Sequence, residues 1–136
     1  MIVGGHGPRR TPRLAATYAD EYNIAFSSME RSTEQFRLVS AACKAAGRDP
    51  DELVYSVAQV VCCGADEAEV ARRAANIGTD VDELRADGLA GTPDELVKKL
   101  EQWATAGAGR VYLQVLDLDD LDHIALLASE VRPRVA

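Results

Sequence analysis

Ile2-Val3-Gly4-Gly5-His6-Gly7-Pro8-Arg9-Arg10-Thr11 places a stub of apolar strand, Met1 to Val3, directly before a glycine-rich turn and the start of a helix. A helix is expected from about Arg9 to Asp20, with Leu14, Ala15 and Tyr18 at the three- and four-residue spacing of one buried face. A strand that passes through glycines into a helix is a βα unit, the building block of a parallel sheet.

The same alternation continues along the chain. Tyr22 to Phe26 reads as a second strand, and Ser27-Ser28 as the cap of a helix that runs to about Ala46. Phe36, Val39, Cys43 and Ala46 form its apolar stripe, and Gly47 ends it as a left-handed cap. Beyond the turn Asp49-Pro50-Asp51, Leu53 to Val61 is too continuously apolar for an edge facing water and reads as a central buried strand. Gly64 closes it, and Ala65 to Ile77 is a helix with Val70, Ala74 and Ile77 inward. Gly78 to Gly91 is polar and poorly periodic, an excursion with about one helical turn. Thr92-Pro93-Asp94-Glu95 combines a Thr cap, Pro at the first helical position and acids at the positive end of the dipole. Leu96, Leu100 and Trp103 carry that helix's buried face, and Gly107 with Gly109 stops it. Val111 to Leu116 is a fourth apolar strand. Asp119 to Val131 is the last helix, with Leu121, Ile124, Ala128 and Val131 inward and Pro133 at its end. About four parallel strands alternating with helices define an α/β fold, either a small open sheet or part of a βα barrel.

Composition narrows the function. The 136 residues are 47% hydrophobic and carry 15 basic against 22 acidic side chains, a net charge of −7. That is one domain's length with no general electrostatic footprint for nucleic acid or an anionic membrane. No apolar run reaches the roughly 20 residues of a membrane span, and Met1-Ile2-Val3-Gly4-Gly5 has no signal-peptide character, so a cytoplasmic location is expected. Cys43, Cys62 and Cys63 lack metal-type spacing, and buried reduced thiols are expected.

Gly4, Gly5 and Gly7, between a strand end and a helix start, let the backbone approach a ligand closely. Free N–H groups at the helix amino end point into the same space, and Arg9 and Arg10 add charge suited to a phosphate. The alternative is a tight turn with solvated arginines. The spacing is neither the dinucleotide fingerprint nor a P-loop. His6 is either a proton carrier or cofactor contact, or a surface loop histidine. His123 follows the acidic run Asp117 to Asp122 and is expected to be exposed at a helix start whose aspartates cap it, the alternative being a metal- or hydroxyl-binding role for a run that follows a strand's carboxyl end. Asn23, Phe26 and Ser27 stand at the strand end that faces a ligand in βα proteins. Ser56, Gln59 and Gln114 interrupt apolar strands, either to meet a cofactor or to satisfy a core hydrogen bond. No Ser-His-Asp set, paired carboxylates or metal-ligand cluster stands out, so composition and spacing leave the reaction open.

The opening segment, together with Leu14-Ala15-Ala16 and Tyr18-Ala19-Asp20-Glu21-Tyr22-Asn23, resembles the second-half signature of luciferase-like monooxygenases. The subgroup it resembles is the actinobacterial oxidoreductases that use coenzyme F420. Gly47-Arg48-Asp49-Pro50, Ser56, Gly91-Thr92-Pro93-Asp94-Glu95-Leu96, Ala106-Gly107, Val111-Tyr112-Leu113-Gln114 and Asp119-Leu121-Asp122-His123 continue the match, so the resemblance covers essentially the whole chain. It implies the carboxy-terminal half of a TIM (β/α)8 barrel, residues 1–136 forming a single partial barrel domain. It also implies that Gly4, Gly5, His6 and Gly7 bind the phosphate of coenzyme F420 or, alternatively, FMN, with Arg9 or Arg10 as charge partners. The implied chemistry is hydride transfer between the (deaza)flavin and a small organic substrate. Tyr22 stands where the family more often has Trp.

A complete barrel of this kind needs roughly 250 residues. The expected partner is therefore a second half-barrel holding the remaining strands, or a second copy of the chain. The alternative from another class is a non-catalytic half-barrel that dimerises or binds a phosphate-bearing ligand.

Overall fold

A computed structural model describes residues 1–135, along which strands and helices alternate as the sequence predicts. The order is β1 (Ile2–Gly4), α1 (Arg10–Tyr18), β2 (Glu21–Ala25), α2 (Met29–Ala45), β3 (Val54–Cys63), α3 (Glu67–Asn76) and α4 (Val81–Asp87). There follow β4 (Leu89–Gly91), α5 (Pro93–Thr105), β5 (Arg110–Gln114) and α6 (Leu121–Leu126), then a π-helical segment, Leu127–Val131, and α7 (Arg132–Val135). The residues divide into two compact units. The first is Met1–Ala58 with Trp103–Tyr112, and the second is Gln59–Gln102 with the chain from Leu113 onward.

In the first unit β1, β2 and β3 run parallel, Ile2 beside Glu21 and Glu21 beside Val54. β5 also pairs with β3, the Gly109 N–H donating to the Tyr55 carbonyl at 2.8 Å. Successive side chains leave opposite faces of a strand. Tyr22, Ile24 and Val57 are wholly buried on one face, where the Tyr22 ring meets Phe36 of α2 edge-on at 6.2 Å. The other face carries Ile2, Glu21, Asn23 and Val54, with Ile2 and Val54 exposed. Glu21 stays buried there because Arg110 closes on one carboxylate oxygen and the Tyr112 hydroxyl donates to the other at 2.9 Å.

α2 starts as the sequence predicts, with the Ser28 hydroxyl accepting from the Arg31 N–H at 3.3 Å and Phe36, Val39 and Cys43 buried. α1 buries Ala15 as expected, on a face that otherwise departs from the expected one. Pro12, Ala15 and Ala16 face inward, whereas Leu14 and Tyr18 lie outward, Tyr18 62% exposed. Small side chains let α1 pack closely against α2 and β1, and the hydrophobic pattern, weighted towards large residues, pointed elsewhere.

In the second unit Val61–Cys63 of β3 pair in parallel with Leu89–Gly91. Cys62, Val70, Ala74, Leu84 and Ala90 form its core. The stretch expected as an excursion therefore contains a helix and a fifth strand. Asp80 caps α4 by accepting from the N–H groups of Asp82 and Glu83, and Leu84 fills the core. At Gly88 a Cβ would sit 3.0 Å from the carbonyl oxygens of both Leu84 and Val60, so any side chain there would push backbone aside before β4. A strand as short as β4 has no periodicity to read. Pro93 does begin α5, where Glu95 accepts from the Thr92 N–H at 2.8 Å and from its hydroxyl at 3.1 Å.

The last helical region differs most from expectation. Val131 is buried as expected, but the residues inward beside it are His123 and Leu127, whereas Leu121 is 70% and Ile124 43% exposed. Asp120 sets the start of α6, and the wider π-helical turn keeps Leu127 and Val131 on the side of His123.

Candidate functional site

The turn between β1 and α1 is built around absent side chains. Gly5 has φ +142°, and a Cβ there would lie 3.0 Å from Thr11 Oγ1 and 3.3 Å from Thr11 Cγ2. A Cβ on Gly7 would lie 3.2 Å from the same hydroxyl. Thr11 belongs to the first turn of α1, so the loop folds back over the helix start with room for backbone alone.

Its carbonyls are held from beneath. The Tyr22 hydroxyl donates to the Gly5 carbonyl at 2.7 Å, and Gln35 Nε2 donates to the Gly7 carbonyl at 3.0 Å. Both holders are buried, Tyr22 at 0% and Gln35 at 4% exposure, and burial pushes the Tyr22 phenol above its ordinary pKa. The Gly5 N–H reaches the Asn23 carbonyl at 3.4 Å. In a trans peptide C=O and N–H point in opposite directions, so a Gly5 carbonyl held inward aims the His6 N–H outward. α1 has no side-chain cap on Arg9 and no acid in its first turn, which leaves its positive end open. This donor set fits an anion with oxygen acceptors.

Gly4, Gly5, His6 and Gly7 thus share one turn, and His6 Nδ1 lies 3.1 Å from the Ser27 hydroxyl. Arg9 and Arg10 are exposed and, with Arg13, Leu14, Thr17 and Tyr18, line an open cleft of about 490 Å³ on α1. Asn23 donates to Ser56 at 2.9 Å, and Ser56 to the Tyr22 carbonyl at 3.3 Å, so Ser56 satisfies core hydrogen bonds. Phe26, at φ +51°, is exposed, as is Gln114. Sequence reasoning missed the two residues that orient the turn. The available signal was a glutamine beside Phe36 on the buried face of α2.

His123 corrects a second expectation. It is 4% exposed, and its Nε2 accepts the Cys63 N–H at 2.9 Å. Arg73, also buried and likewise unforeseen, donates Nη1 to the Cys63 carbonyl at 2.8 Å and Nε to Asp120 at 2.8 Å, and it lies 3.1 Å from Glu69. Asp120 in turn accepts the His123 N–H at 2.9 Å. Cys63 at the end of β3 therefore has both backbone groups met by side chains, which draws His123 inward. The Arg73 hydrogen bond holds the Asp120 carboxyl down at about 2, and burial lowers His123. Burial also pushes the Cys63 thiol up to about 11, so it stays protonated at neutral pH and is a poor nucleophile. The assembly is a clamp. Among the described residues no group of three or more His, Cys, Asp or Glu could hold a metal ion, and no helix is long and apolar enough to cross a membrane.

No protein-family model and no curated protein matches the sequence. Solved structures do match. The coenzyme F420 dependent tetrahydromethanopterin reductase from Methanopyrus kandleri superposes with a TM-score of 0.79 at 19% identity, over 99% of this chain and 50% of that one. An F420-dependent secondary alcohol dehydrogenase in complex with an F420-acetone adduct gives 0.81 at 16% identity, over 99% and 48%. The oxygenating constituent of 3,6-diketocamphane monooxygenase from Pseudomonas putida, in complex with FMN, gives 0.77 at 18% identity, again over 99% and 48%. The chain shares the fold of about half of each of these structures, a parallel sheet alternating with helices, and the matched structures are TIM barrels. It spans about half the length of each luciferase-like structure it matches, and the likeness is one of fold.

Proposed function

We propose that the chain is the carboxy-terminal half of a luciferase-like oxidoreductase, in which the Gly4-Gly5-His6-Gly7 turn holds the phosphate of coenzyme F420 or, alternatively, FMN. The observation that carries this reading is the turn's polarity, with the Gly5 and Gly7 carbonyls tied inward and an uncapped helix start behind them. A phosphate there would accept from the outward His6 N–H, and Arg9 and Arg10 would add positive charge. Thr11 packed against both glycines keeps the loop closed down on the helix. When bound, the (deaza)flavin ring supplies hydride exchange with a small organic substrate. The residues of this chain contribute placement and charge. A cytoplasmic location and a second barrel half, as further chain or as a separate partner, belong to the same reading.

The test compares FMN with riboflavin, which lacks the phosphate, by flavin fluorescence titration of the purified chain. FMN is expected to bind at least about tenfold tighter, the equivalent of one charge-assisted hydrogen bond of about 1.5 kcal/mol. Equal affinities for FMN and riboflavin, or no binding of FMN, riboflavin or coenzyme F420, would refute it. A third arm with coenzyme F420 chooses between the cofactors.

A second reading, a non-catalytic half-barrel that dimerises or binds a phosphate-bearing ligand, draws on the first unit's sheet. On one face of it Ile2 and Val54 are exposed, as is most of β5. Exposed strand edges and apolar faces favour association. Light scattering would then give a compact homodimer, and a clean monomer counts against it.

A further inference from the structure

We propose that Tyr22 and Gln35 are positioning residues that set the polarity of the β1–α1 turn, making it a receptor for a phosphate group in place of a carbonyl-lined loop that repels one. The inference rests on the phosphate reading of the turn and adds the residues on which that reading depends.

A glycine-rich turn has no intrinsic polarity. Each of its peptide units can rotate to present C=O or N–H to the ligand space, and glycine removes the steric bias that would choose between them. An anion needs the N–H side, so something outside the turn must hold the carbonyls away. Two side chains from different elements do this. Tyr22, on β2, binds the Gly5 carbonyl at 2.7 Å, and Gln35, on α2, binds the Gly7 carbonyl at 3.0 Å. The two peptide units respond differently. Gly5 joins His6, whose N–H is aimed outward when the carbonyl is tied inward. Gly7 joins Pro8, which has no N–H to offer, so Gln35 acts by keeping a carbonyl dipole away from the anion.

The fold makes both holders rigid. Tyr22 is wholly buried against Phe36, and Gln35 precedes Phe36 on α2 with its side chain buried. Neither is reached by solvent, and the Gln35 side chain also hydrogen-bonds the Tyr22 phenol, so the two holders brace one another beneath the turn. The Gly5 N–H on the Asn23 carbonyl, at 3.4 Å, ties the turn to β2 from its other end.

The experiment is a titration of the 15N-labelled full chain with inorganic phosphate, following backbone amide shifts in wild type, Tyr22→Phe and Gln35→Leu. The wild type is expected to show saturable shifts at His6 and Gly7. Tyr22→Phe is expected to bind phosphate roughly tenfold more weakly with the His6 response lost, and Gln35→Leu roughly threefold more weakly with that response retained. A purely structural role for either residue would lower stability and leave the phosphate affinity of the folded protein unchanged. Should Tyr22→Phe fail to give a dispersed spectrum, Gln35→Leu decides. Phosphate shifts in wild type that persist at the same affinity in the folded variants overturn this inference and spare the phosphate reading. A wild type whose turn amides do not respond to phosphate overturns both.

Discussion

Asp120→Asn isolates the charge in the buried clamp of the second unit. The asparagine oxygen can still accept the His123 N–H that caps α6, while the carboxylate charge facing Arg73 is lost and an amide NH2 takes the place of the oxygen that accepts from Arg73 Nε. In the native protein the Arg73 hydrogen bond lowers this carboxyl from the usual 3.8 to about 2, with the Asp120 side chain 12% exposed. At 1.36 kcal/mol per pH unit this depression is worth about 2 kcal/mol at neutral pH, supplied mainly by Arg73 with smaller shares from the His123 N–H and Arg72. A carboxyl depressed by folding stabilises fully above its unfolded pKa, and the contribution fades as pH falls from about 5 towards 2. The variant should be about 2 kcal/mol less stable than wild type at pH 7. The gap should narrow to roughly half by pH 3, fall to about 0.4 kcal/mol near pH 2 and vanish below it. Urea denaturation followed by far-UV circular dichroism at several pH values measures the gap directly, because other carboxylates titrate in both proteins and cancel. A gap that stays constant from pH 7 to pH 3, or that never exceeds about 0.5 kcal/mol, the range of a surface pair, refutes the reasoning.

Two further outcomes follow from the same unit. His123 is lowered by burial and by Arg73, against Asp120, Glu69 and Asp117, so its contribution to stability is complete above about pH 6.5 and is lost as pH falls below that. His123→Leu should flatten this acid limb. It should also cost about 1–3 kcal/mol at pH 7.5, because the Cys63 N–H is left buried without an acceptor; denaturant melts at pH 7.5 and at about pH 5 check both. At Gly64 an added Cβ would lie 2.5 Å from the Val70 nitrogen and 2.9 Å from the Glu69 carbonyl carbon, both backbone of α3 that cannot yield. Gly64→Ala should therefore cost about 1–3 kcal/mol, read as a lower Tm, and a Tm equal to wild type would show that α3 sits further from β3.

What the sequence determined by itself is local. Alternating strand and helix periods define the α/β order, and the glycines of residues 4–7 mark the turn. Ser28 and Thr92-Pro93 announce helix starts because a cap acts within a few residues of itself. The solvent-facing choice on α1 and the existence of β4 were not legible, since small alanines and a very short strand carry little pattern. Nor was the chemistry of either polar cluster. Tyr22 and Gly5 are 17 residues apart, Gln35 and Gly7 28, Arg73 and Asp120 47, and His123 and Cys63 60. No periodicity spans such distances, and a buried polar side chain is worth its place only through a partner that folding delivers. The glycines made a turn possible; the packing of β2 and α2 beneath it decided which way its peptides face.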